Sequence, residues 1–162
     1  MKLTRFFLGL FSLSIAAAVL NCCQQDHDQN SADLVIYGGT SAGISAGIQS
    51  ARLGKSVIII EPTSRLGGLT TGGLGQTDIG NKQVIGGIAR EFYRNIKKYY
   101  ENPGNWTWQS RSTYKDGGQT RSGKDEDAMW TFEPSAALKV YQDMIKNLDI
   151  KIVYNQKLNR TK

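Results

Sequence analysis

The feature that most constrains this chain is a glycine-rich turn, residues 38–43, between a short apolar run and a helical pattern. The run, residues 34–37, reads Leu-Val-Ile-Tyr, which is typical of a buried parallel strand. Residues 43–53 carry apolar and small side chains at helical spacing, and Gly54 follows as a C-terminal cap. Residues 56–60 are rich in β-branched side chains and predict a second strand. The order predicts a parallel, right-handed crossover.

The rest of the chain predicts further α/β alternation. The predicted elements are a glycine-rich loop without periodicity over residues 62–80, a helix over 86–100, a polar loop over 102–127, a helix from Pro134 to about Leu148 and a strand over 150–154. Each of these two helices has one apolar stripe, formed by Ile88, Phe92, Ile96 and Tyr99 in the first and by Leu138, Tyr141, Met144, Ile145 and Leu148 in the second. The fold class is therefore α/β.

The turn itself reads Gly38, Gly39, Thr40, Ser41, Ala42 and Gly43. A glycine turn that leads into a helix is an anion site, because free backbone N–H groups and the helix dipole face the bound group. Gly38 permits the tight turn, and Gly43 lets the helix pack close to the strand. Thr40 occupies the place of the usual middle glycine, where its hydroxyl can donate to a phosphate. The turn therefore predicts a phosphate-binding site.

An acidic residue, Glu61, closes the second strand about 20 residues beyond the turn, as in dinucleotide-binding units. A carboxylate at that position accepts hydrogen bonds from ribose hydroxyls and repels a 2′-phosphate, which disfavours NADP. The alternative for Glu61 is a solvated residue at a strand end. With the turn, the position of Glu61 predicts dinucleotide binding, and the choice between FAD and NAD depends on the residues that follow.

The first 23 residues predict an export signal rather than part of the fold. Lys2 and Arg5 precede a nearly unbroken apolar run over residues 6–20. That run is marginal for a membrane span, which takes about 20 residues, and it fits the apolar region of a signal better. Residues 24–32 are polar and predict a tether to the folded part, residues 33–162.

The chain's two cysteines, Cys22 and Cys23, end this apolar run, and adjacent cysteines rarely bridge each other. The pair resembles the lipid-modified cysteine of bacterial lipoprotein signals, although Asn21 stands where a small residue is usual. We therefore expect lipidation at Cys22 and a periplasmic or membrane-anchored protein. The alternatives are simple cleavage and release, or a buried cysteine pair in an uncleaved segment.

The net charge of +6 does not indicate nucleic-acid binding. The cations are dispersed among acidic residues rather than clustered with aromatic ones, so a solvated surface explains them better. The single histidine, His27, lies in the polar tether, and no histidine base or metal ligand is expected in the fold. Trp106, Trp108 and Trp130 could stack on a ligand, but we expect them to pack in the core or in a lid.

The residues beyond Glu61 carry a resemblance to a known family. The chain has Tyr-Gly-Gly-Thr-Ser-Ala-Gly at residues 37–43, Glu-Pro-Thr at 61–63 and Leu-Gly-Gly-Leu-Thr-Thr-Gly-Gly-Leu-Gly at 66–75. Gly-Gly-Ile-Ala at 86–89 and Phe-Glu-Pro at 132–134 open the next two helices. Over about Asp33 to Arg160, the sequence resembles the large bacterial FAD-dependent oxidoreductases, some of which are similar to the heterodisulfide reductase A subunit.

The resemblance implies a Rossmann-like, three-layer FAD domain of the glutathione-reductase type, with a parallel sheet. It places the pyrophosphate at the first turn and the adenosine ribose at Glu61. It also places Arg65, Gly67 and Gly68 on the pyrophosphate and ribityl side, and the backbone at Leu158 against the adenine edge. The cofactor that it implies is FAD.

The resemblance also bears on completeness. Members of the family are several times longer, and strands from the far end of the chain complete their FAD domain. We therefore expect the domain to be incomplete at its C-terminus, a fragment whose parent polypeptide supplies the substrate site. No catalytic side chain or substrate can be named. The alternatives are a small NAD-binding module and a non-catalytic surface lipoprotein that keeps the fold.

Overall fold

The computed structural model describes residues 30–76, 80–115 and 126–161. Its sheet contains three strands, which lie side by side in chain order: β1 (Leu34–Tyr37), β2 (Val57–Glu61) and β3 (Ile150–Tyr154). Both pairs are parallel. The α/β class and the parallel sheet predicted from the sequence are therefore confirmed.

Four α-helices are described: α1 (Ser41–Arg52), α2 (Leu69–Gly72), α3 (Gly87–Tyr99) and α4 (Pro134–Ile145). Short 3₁₀ helices lie at Lys82–Val84, Pro103–Asn105 and Arg111–Thr113. All of these elements belong to one compact unit, Ala32–Lys162. Within the described ranges, no helix has the length and apolar character needed to cross a bilayer.

Local capping sets both ends of α1. The Oγ1 atom of Thr40 accepts a hydrogen bond from the Gly43 N–H at 3.2 Å, so the helix begins at Ser41, two residues before the predicted start. At the other end, Gly54 has a φ of +77° and donates to the Ala51 carbonyl. The N–H of Lys55 reaches back to the Ser50 carbonyl, which completes a Schellman motif. Gly54 thus ends the helix as the sequence predicts.

The helices pack on one face of the sheet. Gly47 of α1 lies so close to β2 that a Cβ atom there would be 3.1 Å from Ile59 Cδ1. On the other face, Val35 and Tyr37 of β1 are 52% and 54% exposed. The prediction of a fully buried first strand is therefore wrong. Strand side chains alternate between faces, and the described helices cover only the face to which Ile36 belongs.

The core between the sheet and the helices is aromatic. Phe92 of α3 stacks on Tyr141 of α4 with ring centroids 4.4 Å apart, and Phe132 meets the Phe92 edge at 5.6 Å. Phe92, Ile96 and Tyr141 are buried, as their stripes predict, while Ile88 and Tyr99 of the α3 stripe are partly buried. Burial of each such side chain stabilises the fold by about 2 kcal/mol.

Two details of α4 differ from the prediction. The helix ends at Ile145 rather than near Leu148. Its fully covered positions are Ala136, Ala137 and Val140 beside Tyr141, while Leu138, Met144, Ile145 and Leu148 are only partly buried. Small side chains let the helix approach its neighbours closely. The buried face is therefore centred on these small residues, one or two positions away from the large apolar residues that predicted it.

Of the remaining predictions, some are confirmed and others are wrong. The loop predicted over residues 62–80 contains the short helix α2. Trp130 is 1% exposed, and Trp106 packs on Tyr100 with ring centroids 4.8 Å apart, but Trp108 is 84% exposed, so packing was the wrong expectation for it. The export signal, most of the tether, Cys22 and His27 lie outside the described residues.

Candidate functional site

The turn after β1 directs the chain into the first turn of α1. Gly38 has a φ of +107°, which favours glycine, and its N–H donates to the Ile60 carbonyl at 2.8 Å. A Cβ atom on Gly43 would lie 2.1 Å from the Gly38 carbonyl oxygen. Gly38 therefore allows the chain to bend, and Gly43 allows the close contact between the helix and the turn.

The solvent side of this turn is open. Thr40 and Ala42 are exposed and Ser41 is partly exposed, at the start of a helix of 12 residues. The helix dipole places partial positive charge at these positions. An anion that approaches the turn meets this charge and the exposed Thr40 hydroxyl.

Glu61 ends β2 beside the turn and is 6% exposed. Its Oε2 atom accepts the Gly39 N–H at 2.8 Å, and its Oε1 atom accepts the N–H and the hydroxyl of Thr63 at 2.8 and 2.7 Å. Burial raises the pKa of Glu61, but the hydrogen bonds from Thr63 and Gly39 outweigh it and hold the pKa below its usual value. The carboxylate therefore stays ionised at neutral pH and fixes the backbone at Gly39.

The second glycine segment, residues 66–75, packs directly on the first turn. The Gly67 N–H donates to the Gly39 carbonyl at 2.7 Å, and Thr40 and Gly67 form a parallel β-bridge. A Cβ atom on Gly39 would lie 2.4 Å from Cδ2 of the fully buried Leu66. The two glycine segments therefore form one surface at the carboxyl ends of the strands.

Hydroxyl groups join the two segments. The Ser41 Oγ atom lies 2.8 Å from the Thr70 Oγ1 atom and donates to the Gly67 carbonyl at 3.2 Å. Thr70 belongs to α2, so this contact fixes the short helix against the start of α1. Thr71, next along α2, is 1% exposed and donates to the Leu66 carbonyl.

Arg65 braces the second segment. Its Nε atom donates to the Thr71 carbonyl at 2.8 Å, and its Nη2 atom donates to the Pro134 carbonyl at 3.3 Å. The guanidinium thus ties α2 to the start of α4. A contact between Arg65 and a phosphate, as the resemblance implies, stays a prediction that draws on the remaining N–H groups.

Leu158 is brought to the same edge of the sheet. Its N–H donates to the Tyr37 hydroxyl at 3.1 Å, while its side chain is 68% exposed. Just before it, the Gln156 N–H donates to the Glu61 carbonyl at 3.3 Å. The chain after β3 therefore passes beside Glu61, on the side expected for the adenine.

A family model for FAD-dependent oxidoreductases matches residues 33–162. The chain belongs to the FAD-dependent oxidoreductase family. The match covers both glycine segments and Glu61, and the family's cofactor is FAD. None of the curated proteins compared with the chain matches it.

Solved structures are similar to the chain at low identity. The THI4 protein of Thermovibrio ammonificans is 13% identical, with a TM-score of 0.43, and the match covers 93% of this chain and 50% of that one. A 3-ketosteroid-Δ4-(5α)-dehydrogenase from Rhodococcus jostii RHA1 is 17% identical, with a TM-score of 0.43, over 76% and 38% of the chains. AlpK is 10% identical, with a TM-score of 0.42, over 80% and 25%. The chain thus spans half or less of the length of these structures.

The donor set at the paired segments fits the FAD of this family. A pyrophosphate needs hydrogen-bond donors and positive potential, which the start of α1 supplies together with the exposed Thr40 hydroxyl. A ribose needs an acceptor, and the Glu61 carboxylate lies next to the turn, bonded to Gly39. These two requirements meet at adjacent positions, as a dinucleotide demands.

Sequence reasoning missed two contributors, Thr63 and Thr70. Thr63 follows Glu61 by two residues, so a hydroxyl at that spacing was a usable signal for a turn that holds the carboxylate. Thr70 carries no such local signal, because it reaches Ser41 through the tertiary packing of α2 against α1.

Proposed function

We propose that this chain binds FAD across its two paired glycine segments and forms the FAD-binding portion of an exported oxidoreductase. The observation that carries the proposal is the contact between the turn at residues 38–43 and the loop at residues 66–75, with the Glu61 carboxylate bonded to Gly39 of the turn. Membership in the family supports the cofactor and the general class of reaction.

In this proposal, the start of α1 holds the pyrophosphate. The residues involved are Gly38, Gly39, Thr40, Ser41, Ala42 and Gly43. Thr40 and Ala42 are exposed there, whereas Gly39 and Gly43 are buried, and the Thr40 hydroxyl can turn toward a phosphate oxygen when the ligand arrives. Arg65, Gly67 and Gly68 then face the pyrophosphate and ribityl side, and the backbone near Leu158 faces the adenine.

Glu61 is proposed to accept hydrogen bonds from the adenosine ribose. Each carboxylate oxygen accepts more than one hydrogen bond, so the ribose hydroxyls can join the donors from Gly39 and Thr63. Since the carboxylate is ionised, it repels a ligand with a 2′-phosphate. The site should therefore discriminate against NADP.

The bound flavin supplies the redox chemistry by taking or giving a hydride, and the protein positions it. The described residues contribute orientation: Leu66 and Thr71 are buried and hold the second segment rigid beneath the ligand.

The absorption spectrum of the purified chain tests the ligand. Visible bands of an oxidised flavin, in the protein as purified or after incubation with FAD and removal of the excess, are the expected result. Reversible NADH binding without flavin bands would instead favour the small NAD-binding module. Binding of neither would favour a non-catalytic lipoprotein and contradict the proposal.

Export with lipidation at Cys22 is proposed from the sequence, since the apolar run over residues 6–20 ends at the cysteine pair. Cells that express the chain and are fed radiolabelled palmitate should label it. The Cys22→Ser variant should lose the label, and Cys23→Ser is the matched control that keeps it. Label retained in Cys22→Ser and lost in Cys23→Ser would move the modification to Cys23, and no label in either would argue against lipidation.

A further inference from the structure

The proposed FAD site has a direction across the sheet. Its turn, residues 38–43, follows β1, and its carboxylate, Glu61, ends β2. The third strand, β3, lies next to β2 on the side away from β1, and neighbouring strands are about 4.8 Å apart. A dinucleotide with its pyrophosphate at the turn and its ribose at Glu61 therefore extends its adenine toward the carboxyl end of β3.

The last residue of β3 is a tyrosine, Tyr154, which stands beside Glu61. The register of the two parallel strands pairs these residues, so their side chains leave the same face of the sheet at neighbouring positions. Ile150 and Ile152, earlier on this face, pack against the core, whereas Tyr154 is 37% exposed. An aromatic ring is therefore accessible just beyond the proposed ribose position.

The chain that follows β3 fixes this tyrosine relative to Glu61. Asn155 has a φ of +58°, a left-handed conformation that asparagine adopts more readily than most residues. Its N–H donates to the Thr63 carbonyl at 3.1 Å, and the Gln156 N–H donates to the Glu61 carbonyl at 3.3 Å. The ends of β2 and β3 are thus bonded to each other, so the protein's own backbone sets the position of Tyr154.

We propose that Tyr154 stacks against the adenine of FAD, so that its ring holds the base while Glu61 holds the ribose. The inference rests on the proposed function for its ligand and adds the residue that contacts the base. Every nucleobase has a π face, and an aromatic side chain that stacks on it strengthens binding without a particular pattern of hydrogen bonds. The same contact should therefore strengthen the binding of ADP, which carries the adenosine without the flavin.

The experiment compares Tyr154→Leu with Tyr154→Phe in titrations with FAD and with ADP. Leucine keeps an apolar side chain at the end of β3 but removes the aromatic face, so both dissociation constants should rise about tenfold. Phenylalanine keeps that face, so Tyr154→Phe should bind both ligands within about twofold of the wild type.

The matched control is Val153→Ala on the same strand. Val153 precedes Tyr154 in β3, so its side chain leaves the opposite face of the sheet, where it is partly exposed. Shortening it weakens the packing of β3 without removing anything from the proposed base site. Val153→Ala should therefore lower the urea midpoint, while the folded variant keeps both dissociation constants within about twofold of the wild type.

The outcomes separate the two proposals. If the wild type binds ADP but no FAD, and Tyr154→Leu weakens ADP binding, the proposed function fails and the stacking role of Tyr154 stands. If FAD binds and Tyr154→Leu matches the wild type, the role of Tyr154 is overturned while the FAD site stands. If the wild type binds neither ligand, both proposals fail.

Two further results would overturn the role of Tyr154 even if Tyr154→Leu weakens binding. An equal loss in Tyr154→Phe would show that the aromatic face is not what the ligand contacts. An equal loss in Val153→Ala would assign the effect to the stability of β3 as a whole.

Discussion

The two glycine segments of this protein meet in space but use glycine for different reasons. In the first, Gly43 is required because a Cβ atom would meet backbone, the Gly38 carbonyl, at 2.1 Å. In the second, Gly67 has a φ of +96°, and a Cβ atom would meet the Thr71 side chain at 2.1 Å. The first segment needs glycine because β1 and α1 meet there at a rigid backbone junction. The second segment needs glycine because of its own backbone conformation and because it packs against the first segment.

This difference explains what a sequence can reveal. A strand, a turn and a helix are adjacent in the chain, so their shared requirement for glycine appears as a spaced motif. The second segment has the same density of glycine, but its contacts come from elsewhere in the chain, including Gly39, Ser41 and Phe132. Its position can be inferred from family resemblance, whereas its packing cannot be read locally.

Substitution of Gly43 is expected to have the largest effect on the stability of the protein. Gly43→Ala forces backbone apart at the start of α1 and should destabilise the protein by about 3 kcal/mol, measured by urea denaturation. Gly47→Ala is the matched control on the same helix, where the new methyl group meets the movable end of Ile59 at 3.1 Å. Because alanine also favours helix, the control should change stability by less than about 1 kcal/mol. Equal losses in both variants would mean that the junction at Gly38 is not rigid.

Gly67→Ala should destabilise the protein less, by about 2 kcal/mol, because Gly67 has a left-handed backbone conformation and the new Cβ atom would overlap with Thr71. Adding Thr71→Ser removes the methyl group that the new Cβ atom would meet and keeps the hydroxyl bond to the Leu66 carbonyl. The double variant should therefore recover part of the loss, while the backbone term remains. A double variant as unstable as Gly67→Ala would show that the segment is limited by its backbone alone, as the first segment is.

The smallest expected effect is a pH dependence centred on Glu61, which holds Gly39 of the first segment. The pKa of Glu61 is lower in the folded protein than its usual value of 4.5, so its ionised form stabilises the fold above that pH. This contribution is lost as the pH falls through the folded value. Below pH 4.5, the unfolding free energy of the wild type should therefore fall more steeply than that of Glu61→Gln. Parallel curves would contradict the role of the hydrogen bonds from Thr63 and Gly39.

Much of the fold follows from local sequence, and the failures have a common cause. The three strands, the end of α1 at Gly54 and the buried stripe of α3 were predictable because their signals are local. The exposed face at Val35 was not, since an apolar strand reads the same whether one face or both are covered. The predicted buried face of α4 differs from the observed one, because the small side chains of Ala136 and Ala137 give a weaker apolar signal than Leu138.

The residues of the candidate site also fall into two groups: some were predictable from the local sequence, and others depend on tertiary packing. Glu61 and the turn residues could be named from their spacing, since the motif is contiguous around one crossover. The bond between Gly67 and Gly39 and the contact of Thr70 with Ser41 depend on how α2 packs against α1, and no pattern near Gly67 encodes them. For Arg65, the family resemblance implies a place on the pyrophosphate and ribityl side, but its bonds to the Thr71 and Pro134 carbonyls are set by tertiary structure.

The most direct test of FAD binding at the paired segments is an FAD titration of Glu61→Gln against Glu91→Gln. Glu91 is the matched control, because its carboxylate pairs with Arg52 on the surface of α3, where such pairs contribute little. At a temperature where both variants are folded, Glu61→Gln should raise the FAD dissociation constant at least about tenfold, the value of a hydrogen bond to a charged group. Glu91→Gln should match the wild type. Equal affinities in the two variants would contradict the placement of the ribose at Glu61 and, with it, the site.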